Sequence, residues 1–461
     1  MRQIILIVAI TLSTLSFSLN SHAADGLPFE RLSEEQRVSD LRFLAAQITT
    51  QHPAPFHRNS ADTWKRRVSE LESNLASLDA SGFFFRLQSI AALADDIHTS
   101  VFPISDHGIL TTTYPIRLGH FEGGVFIRAA RQDHAAILNA QVLQINGIDV
   151  GEVVRRATDV SPGNSRLARS NAPLAYLLTP DFYKYIGSSS GGADASFTVR
   201  DVSGAIKTAT LKPENVSLLT AYESGSVTGW SMPQGWVSSI GVALNPAVPL
   251  YGQRDRMAIL MPMPDRQTLV IQINQPQPDE RNTIMYFLSD LLKHVADHKY
   301  KKVVVDLRGN EGGWYSLTQP LAGLLSTLEL AKGVEQICVL IGRDTASAGV
   351  VLAAQIEMQT NAIFIGEETG SGPNFYGTYK PRALPNSGFF FRISKERIVT
   401  SLPADSRTSI HPDLYVIESL QSLAAGRDKA LEVALSLAPT AQNPFPWYER
   451  WSRPSQRIRT Q

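Results

Sequence analysis

Two segments of the chain carry residue types that could together perform acyl transfer. Asp306–Gly313 reads DLRGNEGG, and Asp344–Gly349 reads DTASAG, with Ser347 between two alanines. Each segment follows a short apolar run, and the second precedes a predicted helix. The amides and positive dipole end of that helix would face the Ser347 hydroxyl, an arrangement that suits a nucleophile whose intermediate carries an oxyanion. The structural alternative is that Ser347 only caps the helix.

The paired glycines in the first segment have a possible use beside such a nucleophile. Gly312 and Gly313 carry no Cβ and can present their backbone N–H groups to a ligand. One of them, together with the N–H of Ala348, could form an oxyanion hole. A tight turn with positive φ explains the same glycines, and the two interpretations are compatible.

A serine nucleophile needs a base, and His98 has the most suggestive setting among the ten histidines. It lies in Ala94–Ser100 (ADDIHTS), where a predicted helix gives way to a loop beside acidic residues. His294 and His298 are four apart on a helix but lack the glutamate of a zinc-protease motif, so we interpret them as cations at the helix C-terminus. Cys338 lies in an apolar run and is predicted to be a buried strand residue. No metal site is predicted.

The elements that must position these residues follow a regular pattern from Thr268 onward. Short apolar runs alternate with amphipathic stretches, which predicts an α/β fold with a largely parallel sheet and right-handed crossovers. In such folds the chemistry lies at the carboxyl ends of the strands. The predicted strands are Leu269–Ile273, Val303–Leu307, Gln336–Ile341, Ala362–Ile365 and Gly388–Ile393, and the predicted helices are Asn282–His298, Ser316–Thr327 and Ala348–Glu357.

The amino-terminal half is different in character. Residues 33–96 have helical spacing, with Ser33 and Gln36 forming a capping box and Ser60 as a second cap. Residues 109–160 contain short β-rich runs that are broken by glycine, and residues 195–212 add two more predicted strands. A helical module followed by a β module is therefore expected before the α/β core.

Composition and the amino terminus bear on location. Lys and Arg together number 43, as do Asp and Glu, so no net charge would attract nucleic acid and no such partner is expected. The first 23 residues show a basic start, the apolar run Ile4–Leu19 and small residues at Ser21 and Ala23, which is typical of a cleaved secretory signal. A membrane anchor is the alternative. We expect an exported protein, periplasmic or secreted, that begins at Ala24 and has no membrane span after cleavage.

Five motifs, in this order, resemble those of the tail-specific (C-terminal-processing) serine peptidases across about residues 38–437. They are Asp96–Thr99 (DIHT), Asp306–Gly313 (DLRGNEGG), Thr345–Ala348 (TASA), Gly366–Thr369 (GEET), and Pro412-Asp413 followed by Gly426–Asp428 (GRD). The resemblance implies a crotonase-like α/β core with Ser347 as nucleophile and a peptide or protein as substrate. It also implies a PDZ-like module, because Val142–Gly147 ends in the I-N-G typical of that fold. No cofactor is implied.

One departure from the family pattern concerns the base. The best-known branch uses a Ser–Lys dyad whose lysine would align near Ser371-Gly372, where this chain has none; the nearest is Lys380. The chain is therefore more similar to the tricorn-core-like branch, in which a histidine at the position of His98 is the base. That branch also has an acidic residue that orients the histidine, and Asp405 is its counterpart here, with Asp96 as a rival.

The resulting domain prediction has five parts, and two other functions stay open. The parts are a signal peptide (1–23), a helical module (24–105), a PDZ-like and β segment (106–215), the crotonase-like core (216–437) and a peripheral tail (438–461). A catalytically inactive relative could bind peptide or an apolar ligand, with Trp230, Trp236 and Met257–Met263 lining a pocket. An esterase could use the same Ser–His pair. His120–Gly124 is the nearest candidate for a carboxylate-binding loop, although its glutamate is unfavourable for an anion.

Overall fold

The computed structural model of this chain describes residues 27, 29–102, 108–163, 173–188, 192–223, 232–240, 251, 257–274, 283–313, 318–331 and 333–438. The predicted signal peptide (1–23), Trp230 and residues 439–461 of the predicted tail lie outside the described residues. Within the described ranges no helix is long and apolar enough to cross a membrane.

The elements are labelled here in chain order. The helices are α1 (Glu34–Gln51), α2 (Ala61–Glu72), α3 (Ala80–Ala91), α4 (Val150–Thr158), α5 (Pro180–Tyr185), α6 (Leu218–Glu223), α7 (Thr283–Asp297), α8 (Thr318–Ala331), α9 (Ala348–Gln359), α10 (Leu420–Ala424) and α11 (Lys429–Ser436). The strands are β1 (Ser100–Phe102), β2 (Ile116–Phe121), β3 (Gly124–Arg131), β4 (Gln141–Ile145), β5 (Ile148–Asp149), β6 (Ala195–Arg200), β7 (Ile206–Leu211), β8 (Trp236–Ser238), β9 (Ala258–Met263), β10 (Thr268–Ile273), β11 (Lys302–Asp306), β12 (Gln336–Ile341), β13 (Ile363–Gly366), β14 (Asn374–Gly377), β15 (Arg382–Ala383), β16 (Phe390–Arg392), β17 (Glu396–Val399) and β18 (Leu414–Tyr415).

The carboxy-terminal half is a mixed α/β unit around one sheet. Among the described residues its strand order is β18-β13-β12-β11-β10-β9, and all neighbouring pairs are parallel except β9 with β10. Helices α7, α8 and α9 cover one face and α11 packs on the other, which explains why the central strands are apolar throughout. Cys338 is a buried residue of β12, as predicted, and burial raises the pKa of its thiol to about 12.

One predicted strand of this sheet belongs elsewhere. The run Gly388–Ile393 forms β16, which pairs antiparallel with β1 and β15, and the fifth parallel strand is β18. Phe389 and Phe391 are buried in a core shared with Phe83 and Phe84 of α3. An apolar run shows that a strand is buried but does not specify its partner, so this assignment was wrong.

The amino-terminal helices begin at the predicted caps. Ser33 Oγ accepts the N–H of Gln36 at 3.2 Å, and the Gln36 side chain accepts the Ser33 N–H at 2.9 Å, which completes the capping box. Ser60 caps α2 through the N–H of Thr63. The helices share one hydrophobic core with β2–β7. The boundary predicted between residues 105 and 106 lies outside the described residues.

The β module is an antiparallel sheet with β2-β3-β4-β6-β7 as its main path. Asn146 and Gly147 both have positive φ, 51° and 77°, as a two-residue hairpin turn between β4 and β5 requires. The turn between β2 and β3 docks on the α/β unit: the Glu122 N–H donates to the Glu418 carbonyl at 2.8 Å, and the Glu122 carboxylate pairs with Lys429. Glu122, in the segment considered for binding a substrate carboxylate, is thus engaged in this contact.

Candidate active site

Ser347 lies in an unusual backbone conformation at the start of α9. Its φ is 49° and its ψ is −122°, and its side chain makes no capping hydrogen bond to the helix. The capping alternative is therefore wrong. A non-glycine residue in such a region costs about 1–3 kcal/mol, and strain of this kind clusters at functional sites.

The Ser347 turn is anchored to the loop after β11. The Ala346 N–H donates to the Asn310 carbonyl at 2.9 Å, and the Thr345 hydroxyl donates to the Leu307 carbonyl at 2.8 Å. On its other side, the Thr345 carbonyl accepts the Gly370 N–H at 2.8 Å. The two sequence segments predicted to lie together, which end neighbouring parallel strands, do so.

The loop after β11 approaches the nucleophile closely at Gly312. A Cβ added to Gly312 would lie 2.7 Å from Ser347 Cβ and 3.3 Å from the Ala348 nitrogen, and its φ is 121°. Only glycine fits at this position. The Gly312 N–H itself donates to Asn310 Oδ1 at 3.1 Å, so it is not available for an oxyanion.

The other two candidate donors have no such partner. In the described ranges neither the Ala348 N–H nor the Gly313 N–H takes part in a hydrogen bond. Ala348 is the first residue of α9, where an amide has no acceptor within its own helix. Gly313 and Ala348 are therefore the pair of amides that remains for an oxyanion hole.

His98 lies in the loop between α3 and β1, half-buried between two aromatic rings. Its ring centroid is 5.8 Å from those of both Phe375 and Tyr379. Its Nδ1 lies 2.8 Å from the Tyr376 carbonyl. Because a carbonyl only accepts, Nδ1 carries the proton, and the neutral ring has its lone pair on Nε2. That tautomer can receive a proton at Nε2.

The surroundings of His98 favour the neutral ring. Burial lowers the pKa of His98 to about 4, the positive charge of Arg392 acts in the same direction, and Asp96 opposes both. Arg392 is held in place by hydrogen bonds to Ser100 Oγ at 2.9 Å and to the Ile97 carbonyl at 3.2 Å. The expected midpoint for protonation of His98 is therefore more acidic than the ordinary histidine value of about 6.5.

No hydrogen bond joins His98 to the Ser347 hydroxyl in the part of the chain that the structure describes. The direct contact expected from sequence is thus not formed here. Both residues are tied to the same segment, because Gly370 binds the Ser347 turn and Tyr376 binds the His98 ring. Six residue steps separate Gly370 from Tyr376, so these two anchors lie on the order of 20 Å apart at most.

Asp405 has different partners from the predicted one. Its carboxylate accepts hydrogen bonds from Ser401 Oγ at 2.8 Å and from the Arg407 guanidinium, which also binds Glu357. Burial would raise the pKa of Asp405, but the hydrogen bonds and charge of Arg407 outweigh it and hold that pKa below its usual value. The atom that orients the His98 ring is the Tyr376 carbonyl.

Asp96, the rival acid, holds the His98 backbone. Asp96 Oδ1 accepts the His98 N–H at 2.7 Å and the Ser394 hydroxyl at 2.7 Å, and Oδ2 lies 3.0 Å from Nε2 of His52. Sequence reasoning missed His52 and Tyr376. Neither residue lies in a recognisable motif, and only the folded structure brings them to Asp96 and His98.

The remaining motif residues build the frame around the site. The buried Arg308 guanidinium donates hydrogen bonds to carboxyl oxygens of Asp306, Glu418 and Asp428, which connects the loop after β11 to the GRD segment. Asp413 Oδ2 accepts the Phe364 N–H at 2.8 Å and so fixes β13.

Other candidate groups fall outside the site. His294 Nε2 contacts the Tyr300 hydroxyl and His298 Nδ1 lies 3.0 Å from the His294 carbonyl, at the carboxyl end of α7. Burial lowers the pKa of His294, which disfavours the cation predicted there. The Arg117 guanidinium carbon lies 4.4 Å from the ring centroid of Trp236, so this tryptophan packs against the arginine. Lys380 is exposed. Over the described residues, no group of three or more His, Cys, Asp or Glu side chains is arranged to hold a metal ion.

Comparison with known proteins gives a fold but no sequence family. No family model and no curated protein matches the chain. The crystal structure of a CPAF mutant matches with a TM-score of 0.64 at 11% identity, over 87% of this chain and 97% of that chain. Mature CPAF complexed with lactacystin matches with a TM-score of 0.60 at 12% identity, over 88% and 98%. This chain therefore has the fold of CPAF.

A protease is found among the structures that match with a lower TM-score. The photosystem II D1 C-terminal processing protease matches with a TM-score of 0.38 at 11% identity, over 87% of this chain and 99% of that chain.

Proposed function

We propose that this chain is a serine peptidase of the tail-specific type, with Ser347 as nucleophile and His98 as general base. The observation that carries the proposal is the Ser347 turn. A strained serine at a helix N-terminus, whose hydroxyl is not used as a cap and whose neighbouring amide has no partner among the described residues, is arranged for nucleophilic attack and oxyanion stabilisation.

The reaction would proceed in two steps. Ser347 Oγ attacks the peptide carbonyl carbon while its proton passes to His98 Nε2, and the N–H groups of Ala348 and Gly313 stabilise the oxyanion. The intermediate collapses as His98 returns the proton to the leaving amine, which leaves an ester on Ser347. Water then attacks that ester with the same proton transfers, and the carboxylic acid product is released.

The proposal requires His98 Nε2 to approach Ser347 Oγ in the working enzyme. The tautomer set by the Tyr376 carbonyl supports this, because Nε2 is the acceptor that the mechanism needs. The segment from Gly370 to Tyr376 contacts both loops and so links the position of the base to that of the nucleophile. Catalytic hydrogen bonds are often long before substrate binds.

Phosphonylation of the nucleophile is the direct test. A fluorophosphonate forms a phosphorus–oxygen bond with an activated serine as fluoride leaves, and intact mass with peptide mapping locates the adduct. We expect one adduct at Ser347, none in Ser347→Ala or His98→Ala, and unchanged labelling in Ser60→Ala. Ser60 is a matched control, because it also stands at a helix N-terminus but does cap its helix. Because CPAF forms a complex with lactacystin, this compound is a second probe, and we expect it to slow the labelling.

Three outcomes separate this proposal from the alternatives. Cleavage of a fluorogenic peptide library by the unlabelled enzyme, lost once Ser347 is phosphonylated, supports a peptidase. Labelling with turnover of p-nitrophenyl esters but of no peptide indicates an esterase. A folded protein that resists the phosphonate at Ser347 indicates a non-catalytic binding protein and ends the proposal.

We also propose that the protein is exported and acts on peptides or proteins outside the cytoplasm. The basic start, apolar run and small residues of the first 23 positions support this. Amino-terminal sequencing of the purified protein is expected to begin at Ala24. Recovery of Met1 from a membrane fraction would indicate an anchor instead.

A further inference from the structure

A buried histidine lies behind the proposed base. His52 follows the last turn of α1, is 3% exposed, and its Nε2 lies 3.0 Å from Asp96 Oδ2. Its Nδ1 accepts the Ala54 N–H at 3.1 Å. Because Nδ1 accepts, the proton of the ring is on Nε2, and His52 donates to Asp96.

Asp96 connects His52 to the loop that carries His98. It is 1% exposed, and besides His52 it accepts the His98 N–H and the Ser394 hydroxyl. Burial would raise the pKa of Asp96, but the hydrogen bonds from His52 and Thr99 outweigh it, so the pKa lies below its ordinary value and the carboxylate stays charged. A buried carboxylate needs such donors, because without them it loses its charge or its position.

The second contact of His52 is with Tyr376, the residue that orients the His98 ring. The two ring centroids lie 4.7 Å apart with an interplanar angle of 53°. His98 is thus held at two points, its backbone by Asp96 and its Nδ1 by the Tyr376 carbonyl, and His52 contacts both of these residues.

We infer that His52 is a positioning residue for His98, acting through its hydrogen bond to Asp96 and its packing on Tyr376. The inference rests on the proposed function, because a positioned base has meaning only in an enzyme. The helical module then contributes to the chemistry, because His52 at the end of α1 holds the base in position. His52 itself does not contact substrate or the reacting atoms.

Two amide substitutions separate donation from packing. In His52→Gln the side-chain nitrogen takes about the place of Nε2 and can still donate to Asp96. In His52→Asn the nitrogen takes about the place of Nδ1 and does not reach Asp96. We expect kcat to stay within about threefold in His52→Gln and to fall about 10- to 100-fold in His52→Asn, with KM changed less than twofold in both.

His57 provides a matched control for the ring contact. Its ring lies 4.9 Å from that of Tyr376, close to the His52 distance, but its Nδ1 contacts the Ala54 carbonyl rather than Asp96. We expect His57→Leu to retain kcat. Thermal unfolding of every variant by circular dichroism shows which of them are folded at the assay temperature.

The outcomes distinguish this inference from the proposed function. If Ser347→Ala and His98→Ala abolish turnover while His52→Gln and His52→Asn have equal kcat, the positioning role is refuted and the peptidase stands. If kcat falls in His52→Asn only in proportion to the unfolded fraction, the role is structural and the inference is also refuted. If Ser347→Ala keeps full activity, the proposed function fails first.

Discussion

The pH dependence of acylation follows from the surroundings of His98. Half-burial between Phe375 and Tyr379, with Arg392 nearby, lowers the pKa of the His98 imidazole to about 4, against 6.5 for an ordinary histidine. At pH 5 about 90% of the rings would then be neutral, whereas an imidazole with the ordinary value would be only about 3% neutral. The two cases differ about 30-fold in the active fraction at that pH.

The assay is kcat/KM for a fluorogenic peptide from pH 3.5 to 8 at constant ionic strength. We expect a plateau from about pH 5 upward and a single ionisation with a midpoint near pH 4, because the neutral ring is the base. Circular dichroism at each pH shows where acid unfolding begins, and only data above that point are fitted. The rate of phosphonate labelling provides a second measure that does not depend on product release.

A pair of variants tests the cause of the shift. Arg392→Gln removes the positive charge near His98 and is expected to raise the midpoint. Lys380→Ala removes an exposed cation and is expected to leave the midpoint unchanged. A wild-type midpoint between pH 6 and 7.5 would refute the reasoning, since it would mean that the active form exposes His98 to water.

Three further predictions concern the frame of the site. Gly312→Ala is expected to reduce kcat at least 100-fold, because the added Cβ would lie 2.7 Å from Ser347 Cβ. The control is Gly204→Ala, which has a φ of 87° but nothing within 4 Å of the added Cβ, and is expected to lose only stability. Peptide kinetics and thermal unfolding are measured for both variants, and equal kcat values would contradict the close approach. Burial, together with a neighbouring carboxylate, raises the pKa of Glu418 from 4.5 to about 8. The folded state therefore keeps a proton that the unfolded chain releases above about pH 4.5, and stability falls as the pH rises from about 5 to 8. Urea unfolding is expected to show a smaller fall over that interval in Glu418→Gln, and an identical fall would refute the assignment. Asp405→Asn is expected to lower Tm by a few degrees, because Asp405 pairs with an arginine. The midpoint of the kcat/KM profile, which reports protonation of His98, is expected to stay where it is. A moved midpoint would restore the predicted role of Asp405 as the orienting acid.

Local chemistry determined much of the fold. The capping box at Ser33, the Asn146-Gly147 turn and the alternation of strands and helices after Thr268 all depend on residues a few positions apart. Hydrogen bonds over three residues and periods of two or 3.6 residues are visible in a sequence, so these elements and the α/β class could be predicted. The contact between the Ser347 turn and the glycine loop followed as well, because neighbouring parallel strands end at the same edge of a sheet.

Only the tertiary structure decided which partners the chemical groups have. Asp405 binds an arginine two residues away instead of His98, and His52 reaches Asp96 across 44 positions. The strand at Phe390–Arg392 joins β1 rather than the parallel sheet. The type of a residue shows whether it needs a donor, an acceptor or an apolar neighbour. Many groups along a chain could meet that need. Packing selects one of them, because side chains at distant positions meet only after the helices and sheets have docked.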